Sequence, residues 1–200
     1  MKWILTATSK YLDQAHDLIL PFIKWHEGII SYHLDKERDV ALSLLELAIE
    51  LLENKQHLDG NKMRIEITNS IGIIYLEENN YNDAEEKFKN CITLLSSQPL
   101  LELNDLKIKL LFNLSILHLK QDKFSQALQC CDRGINQCKE TNSMYLLGDL
   151  YYHKALCLHN MGFEEVTDYF TFAMTILKIQ ENDYLHNRVK NKALSLQQLS

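Results

Sequence analysis

An all-α fold built from repeated helix pairs is predicted by three observations: few turn residues, apolar side chains at helical period, and small residues recurring at one interval. Of 200 residues only 6 are Gly and 2 are Pro. The tight reversals of a β-sandwich or barrel consume such residues, whereas helices joined by short polar loops need few. Hydrophobic residues make up 46% of the chain, enough for a continuous core and too many for a disordered segment. The interval is 43 residues: Ala41, Ala84 and Ala127 keep it, as do Ala48, Cys91 and Gly134, and Ile29, Gly72 and Ser115. Small side chains are needed where paired helices approach closely, and each repeat buries its apolar face only against its neighbours.

Taken in order, residues 1–20 predict one linker-like helix with Trp3, Ala7, Tyr11, Ala15 and Leu18 on a single stripe. Residues 21–182 predict about four helix pairs, and 183–200 a capping helix. The first pair opens near Pro21, a residue suited to a helix start. It runs through Ile29 and Tyr32 to Ala41, Leu44, Leu45 and Ala48. The second carries Ile67, Ile71, Ile74 and Tyr75, turns at Glu78-Asn79-Asn80, and resumes through Tyr81, Ala84, Phe88, Cys91, Ile92 and Leu95. The third carries Leu110, Leu114, Leu117 and His118, turns at Gln121-Asp122-Lys123, and continues through Phe124, Ala127, Leu128, Cys131 and Ile135. In the fourth, Ser143 is placed to cap a helix through Leu147, Leu150, Tyr151, Ala155 and Leu158. Met161-Gly162 turns into a helix over 164–179, and the spacing shortens to 40 if Ala155 takes the place of Ser115. A terminal helix follows over 184–199. Breaks between pairs are expected at Asp59-Gly60-Asn61, Gln98-Pro99, Thr141-Asn142 and Asn182-Asp183.

Composition excludes several function classes. The net charge is −6, and no basic stripe suited to phosphates is present, so no direct nucleic-acid contact is expected. Cys91, Cys130, Cys131, Cys138 and Cys157 form neither a disulfide framework nor a metal-ligand spacing. They read as reduced, mostly buried thiols of a cytoplasmic protein. The longest apolar run, Leu18 to Ile23, is about a third of a membrane span, so no membrane is implied. Asp149 and His153 sit four apart on one helix and can pair, but the His spacings reveal no convergent metal set. There is no nucleophile elbow, phosphate-cradling loop or paired His-Glu metalloprotease motif, so neither enzyme nor cofactor is expected.

Gly72 with Tyr75, then Tyr81, Ala84, Phe88 and Cys91, resemble the tetratricopeptide pattern of small, aromatic, aromatic, Ala, aromatic, small. The resemblance implies a solenoid, a right-handed superhelix of antiparallel helix pairs. A period longer than the usual ~34 implies longer helices. Closer still, Thr68-Asn69-Ser70-Ile71-Gly72-Ile73-Ile74-Tyr75-Leu76-Glu77 and the stretch Asn142 to Tyr152 resemble the PlcR-type quorum-sensing activators, of the wider group of Rap, NprR and Rgg proteins. That resemblance spans roughly Trp25 to Lys192. It implies a repeat domain that binds a short re-imported signalling peptide, and a homodimer. The family also carries an amino-terminal helix-turn-helix, for which residues 1–20 have no room. The chain is therefore expected to be either a fragment of a DNA-binding regulator or a stand-alone sensor.

In stacked helix pairs the first helix of each pair lines the concave face. Asn69, Asn113, Asp149 and Tyr152 fall there. An extended peptide brings unpaired N–H and C=O groups, and an Asn side chain offers a donor and an acceptor to satisfy both. By resemblance, Asn69 and Asn113 match the asparagines that hold the peptide backbone, and Asp149 stands at a polar contact position. Glu66, Ile73, Lys109, Phe112, Ile116 and Leu156 are candidates for the groove walls. Against this stands a solvated or capping role for each Asn, and packing for each apolar residue. A general scaffold that docks a folded partner or the tail segment of a partner protein, with no signalling peptide, is the alternative function.

Overall fold

The computed structural model describes residues 17–53, 58–96, 103–164 and 166–197. Among them, regular structure is helical throughout. The chain divides into two compact units, Met1–Gln98 and Pro99–Ser200. The first contains α1 (17–30), a π turn over Ser31–Asp35, α2 (Arg38–Glu50), α3 (Leu58–Glu77) and α4 (Tyr81–Ser96). The second contains α5 (Asn104–Lys120), α6 (Phe124–Thr141), α7 (Leu147–Asn160), α8 (Thr167–Ile179) and α9 (Asp183–Gln197).

Within each unit, helices adjacent in sequence pack together, and in the second unit α5 also touches α7. The predicted small-residue columns are what permits this. Ala41, Ala84, Ala127, Ala48 and Cys91 are completely buried. At Gly72 a Cβ would lie 2.6 Å from the Phe88 ring, so only glycine lets α3 and α4 approach this closely. In the second unit Val189 of α9 is fully buried with Phe170, Ala173 and Leu177 of α8, which shows how the last two helices pack.

The turns share one closure. Asn79, Asp122, Asn142, Gly162 and Glu181 all adopt positive φ, between 52° and 81°. After each, the next residue's N–H donates to the carbonyl five residues back: Asn80 to Tyr75, Lys123 to His118, Ser143 to Cys138, Phe163 to Leu158 and Asn182 to Leu177, at 2.8–3.0 Å. This is the left-handed helix stop that satisfies orphan carbonyls of the last turn.

The first pair differs. Lys36 has φ 62°, and Glu37 N–H reaches six residues back to Ser31 O. The π turn holds one extra residue, and that corrects one predicted column. Ile29 is not the counterpart of Gly72. Gly28 is buried instead, and a Cβ on it would lie 2.9 Å from Leu45 Cγ. Gly72 faces Phe88 sixteen residues on and Gly28 faces Leu45 seventeen residues on, the difference being absorbed by the π turn.

Three further expectations are corrected. Pro21 lies inside a helix already formed at residue 17, beyond the first turn to which a proline is suited. Asp59-Gly60-Asn61 is the first turn of α3, not a break, and Asp59 there favours the positive end of the helix dipole. Ser143 does not cap α7: its Oγ donates to Asp105 Oδ1 (3.0 Å) and accepts from Tyr145 N–H (3.1 Å). The residue ahead of α7 is Leu146, at φ 53°. The stripe from Trp3 to Ala15 and the break at Gln98-Pro99 lie outside the described residues, while Leu18 packs on the first unit's core.

Candidate functional site

The first helices of the pairs share a register set by their small residues. Aligning Gly72, Ser115 and Ala155 places Glu66, Lys109 and Asp149 in one column and Asn69, Phe112 and Tyr152 in a second. A third holds Ser70, Asn113 and His153, and a fourth Ile73, Ile116 and Leu156. All ten predicted residues fall in these columns. Asn69 and Asn113, however, are not equivalent: they stand one position apart in the register. Ser70 and His153, the other members of the Asn113 column, were missed from the candidate set, though the 40-residue spacing from Asn113 points to His153.

In the first unit, Glu66, Asn69 and Ile73 lie on one face of α3. Asn69 is almost completely enclosed at 1% exposure, with Glu66 and Ile73 half-buried. Ser70 Oγ donates to Glu66 O (3.0 Å) and accepts from the Trp25 Nε1–H of α1 (3.0 Å). A ring N–H of one first helix thus bonds to a serine of the next.

In the second unit, α5 and α7 bring the other seven together. Asn113 and Tyr152 are buried, and Lys109, Phe112, Ile116, Asp149 and Leu156 are half-buried. Asn69, Asn113, Glu66 and Lys109 each engage a neighbour in the folded chain. The two helices are joined through His153, whose Nδ1 lies 2.8 Å from Ser115 Oγ and whose ring stacks on Phe112 at 4.8 Å and 16°. Ser115 Oγ also donates to Phe112 O at 2.7 Å. His153 therefore bonds across to α5, where the sequence suggested a partner one turn away in Asp149. Its pairing with serine repeats the Trp25–Ser70 bond of the first unit, with the helix carrying the ring reversed.

Burial governs the charges here. It pulls the His153 imidazole down to about 4, assisted by the nearby Arg188 guanidinium of α9. Burial raises the Asp149 carboxyl, against a bond from its own backbone N–H that favours the anion. Tyr152 is raised by burial as well, with Arg188 opposing.

No cluster of three or more metal-ligating side chains occurs among the described residues. All five cysteines are buried free thiols, with Cys91 pushed up to about 12 and Cys130 and Cys138 to about 11, chiefly by burial. Such thiols are poor nucleophiles. A cavity of about 660 Å³ lies elsewhere in the second unit, lined by the α7–α8 turn, α8 and α9 through Phe163, Phe170, Met174, Lys190 and Leu194. None of the ten predicted residues lines it.

The model of the RNPP family C-terminal domain matches residues 4–196. The chain belongs to that family. Among solved structures, the RNPP chain is similar to Bacillus thuringiensis PlcR in complex with the peptide PapR7 and DNA. The TM-score is 0.78 at 21% identity, over 94% of this chain and 67% of that one. It is also similar to Bacillus thuringiensis PlcR in its apo form, with TM-score 0.77 and 19% identity over 94% of this chain and 74% of that one. Curated protein sequences yield no significant match. The RNPP family is one of regulators rather than enzymes. The PlcR likeness bears out the tetratricopeptide-like helical architecture read from the repeat. No helix of the described residues is long and apolar enough to cross a membrane.

Proposed function

We propose that this RNPP domain is the sensor of a quorum-sensing transcriptional regulator and that it binds a short signalling peptide along the first helices of its pairs. One observation carries the reading. In the second unit, α5 and α7 lie in contact through His153 and present Lys109, Phe112, Asn113 and Ile116 beside Asp149, Tyr152 and Leu156. That strip mixes amide, aromatic, aliphatic and charged groups. It suits an extended peptide, whose backbone needs paired donors and acceptors while its side chains need apolar surface. Asn113 takes the backbone amide role, and Asn69 on α3 takes it in the first unit. The fold shared with PlcR, a protein solved with the PapR7 peptide, supports the same reading.

Binding acts by population shift: a peptide that prefers one arrangement of the helix pairs raises its share of the ensemble. In a regulator carrying DNA-binding heads, this shift is the signal, and a homodimer in the cytoplasm is its setting.

Calorimetry with a peptide chosen by a thermal-shift screen tests the assignment. Asn69→Ala and Asn113→Ala are each expected to weaken binding by roughly three- to tenfold, the worth of one hydrogen bond, with helicity intact. Unchanged affinity in both variants would remove the asparagines from the site.

A further inference from the structure

We infer that His153 is a further ligand-binding residue, whose Nε2 accepts a hydrogen bond from an uncharged N–H of the bound peptide. The inference rests on the peptide-binding reading and names a group that the asparagine assignment does not include.

Ser115 Oγ has a single proton, and the short approach to Phe112 O, three residues back on the same helix, takes it. With that proton given to Phe112 O, the hydroxyl oxygen accepts toward Nδ1, 2.8 Å away, and the ring proton is assigned to Nδ1. The ring is uncharged at neutral pH because burial and the Arg188 cation both disfavour imidazolium. A neutral imidazole has one N–H, which leaves a lone pair on Nε2.

The ring's orientation is held at two points. Nδ1 is tied to Ser115 and one face lies parallel against Phe112 at 4.8 Å. His153 is nevertheless only half-buried, and with Nδ1 turned to Ser115 it is Nε2 that remains to meet a ligand. A fixed acceptor in the same repeat column as Asn113, and between Tyr152 and Leu156 on α7, is placed to meet a peptide lying on this strip. The choice of an amide over an ammonium follows from Arg188, whose charge opposes a second cation at this point. Ser115 and Phe112 act through His153 and are positioning residues.

The test has two readouts. Nitrogen-15 spectra of the ligand-free protein at neutral pH are expected to show His153 protonated at Nδ1 and bare at Nε2. A charged ring or the opposite tautomer overturns the inference whatever binds. Peptides retained by the wild-type chain from a random heptapeptide pool, identified by mass spectrometry, are then titrated into His153→Phe, which keeps a ring against Phe112. The expected result is a roughly three- to tenfold loss of affinity, with the His153 Nε2 resonance of the wild type moving on peptide addition. Equal binding by the variant with a stationary resonance overturns the inference and leaves the peptide reading standing. A wild-type chain that retains no peptide overturns the peptide reading and takes this inference with it.

Discussion

At Gly72 the α3 backbone stands so close to the Phe88 ring that a methyl group has nowhere to go: its carbon would lie 2.6 Å from Cε1 and 2.9 Å from Cδ1. Phe88 is itself completely buried, so its ring can yield only by pushing on neighbours. Gly72→Ala is therefore expected to cost about 1–3 kcal/mol, a fall in melting temperature of several degrees for a chain of this size. Adding Phe88→Leu to that variant should recover part of the loss, because the two positions share one space. Independent, additive losses in calorimetric melts would contradict the contact. His153 supplies a second residue-scale prediction. Its folded value of about 4 lies below the ordinary 6.5, so between those limits the unfolded chain holds a proton that the folded chain does not. Folded stability is thus complete above about pH 6.5 and is lost as pH falls toward 4. Asp149, raised by burial, runs the other way and regains stability as it protonates at lower pH. Melting temperature followed from pH 7 to 5 should fall less steeply in His153→Phe than in the wild type, and parallel slopes would exclude the histidine as the cause.

The helices are cut to length by a repeated device, and one of them departs from it. Five turns end with a left-handed residue and a bond five residues back, but the first ends with Lys36 and a bond six back. Four of those five turns have Asn, Asp or Gly at the left-handed position, the types that tolerate it best, which is why their places were legible as polar breaks. The break expected at Asp59-Gly60-Asn61 failed for the same reason: acidic and small residues also suit the first turn of a helix, and local composition does not distinguish an end from a beginning. The π turn left no such mark, since its effect is one of phase. It surfaces only as a small residue at Gly28 where the strict period put Ile29. An inserted residue that a π turn absorbs can be removed again. Deleting Leu34, which is 75% exposed, should convert the turn to α-helix and bring the Gly28–Leu45 spacing to that of Gly72–Phe88, with a melting temperature within a few degrees of the wild type. Deleting Glu27, inside α1 and ahead of Gly28, should instead rotate Trp25 off Ser70 and unfold the first unit at much lower temperature. Equal damage from both deletions, read by circular dichroism, would show that the turn is not a tolerated insertion.

For the molecule as a whole, repetition is what made the architecture readable. Paired helices demand small residues at their closest approach, so the demand recurs with the unit and appears as Ala41, Ala84 and Ala127. The candidate site was less legible. Its columns follow from register, yet the contact that joins α5 to α7 links Ser115 and His153, 38 residues apart, and spacing along a chain reports neighbours on one helix rather than those across two. Burial was equally hidden: nothing about Asn69 as a residue type foretells 1% exposure. The enclosure of Asn69 and Asn113 bears on function, because groups already engaged within the fold can be redirected to a ligand only if the ligand's bonds replace those given up. A peptide that succeeds binds the folded chain and not the unfolded one, so by linkage it must raise thermal stability. At a hundredfold excess over its dissociation constant the gain is about 2.7 kcal/mol, which for a chain of this size corresponds to roughly 5–11 °C. A scaffold that docks a folded partner gains nothing from free peptides of this length. Thermal-shift measurements across short peptides should therefore find sequences that raise the transition by that amount, with a smaller rise in Asn113→Ala. A screen in which every peptide leaves the transition unmoved would favour the scaffold.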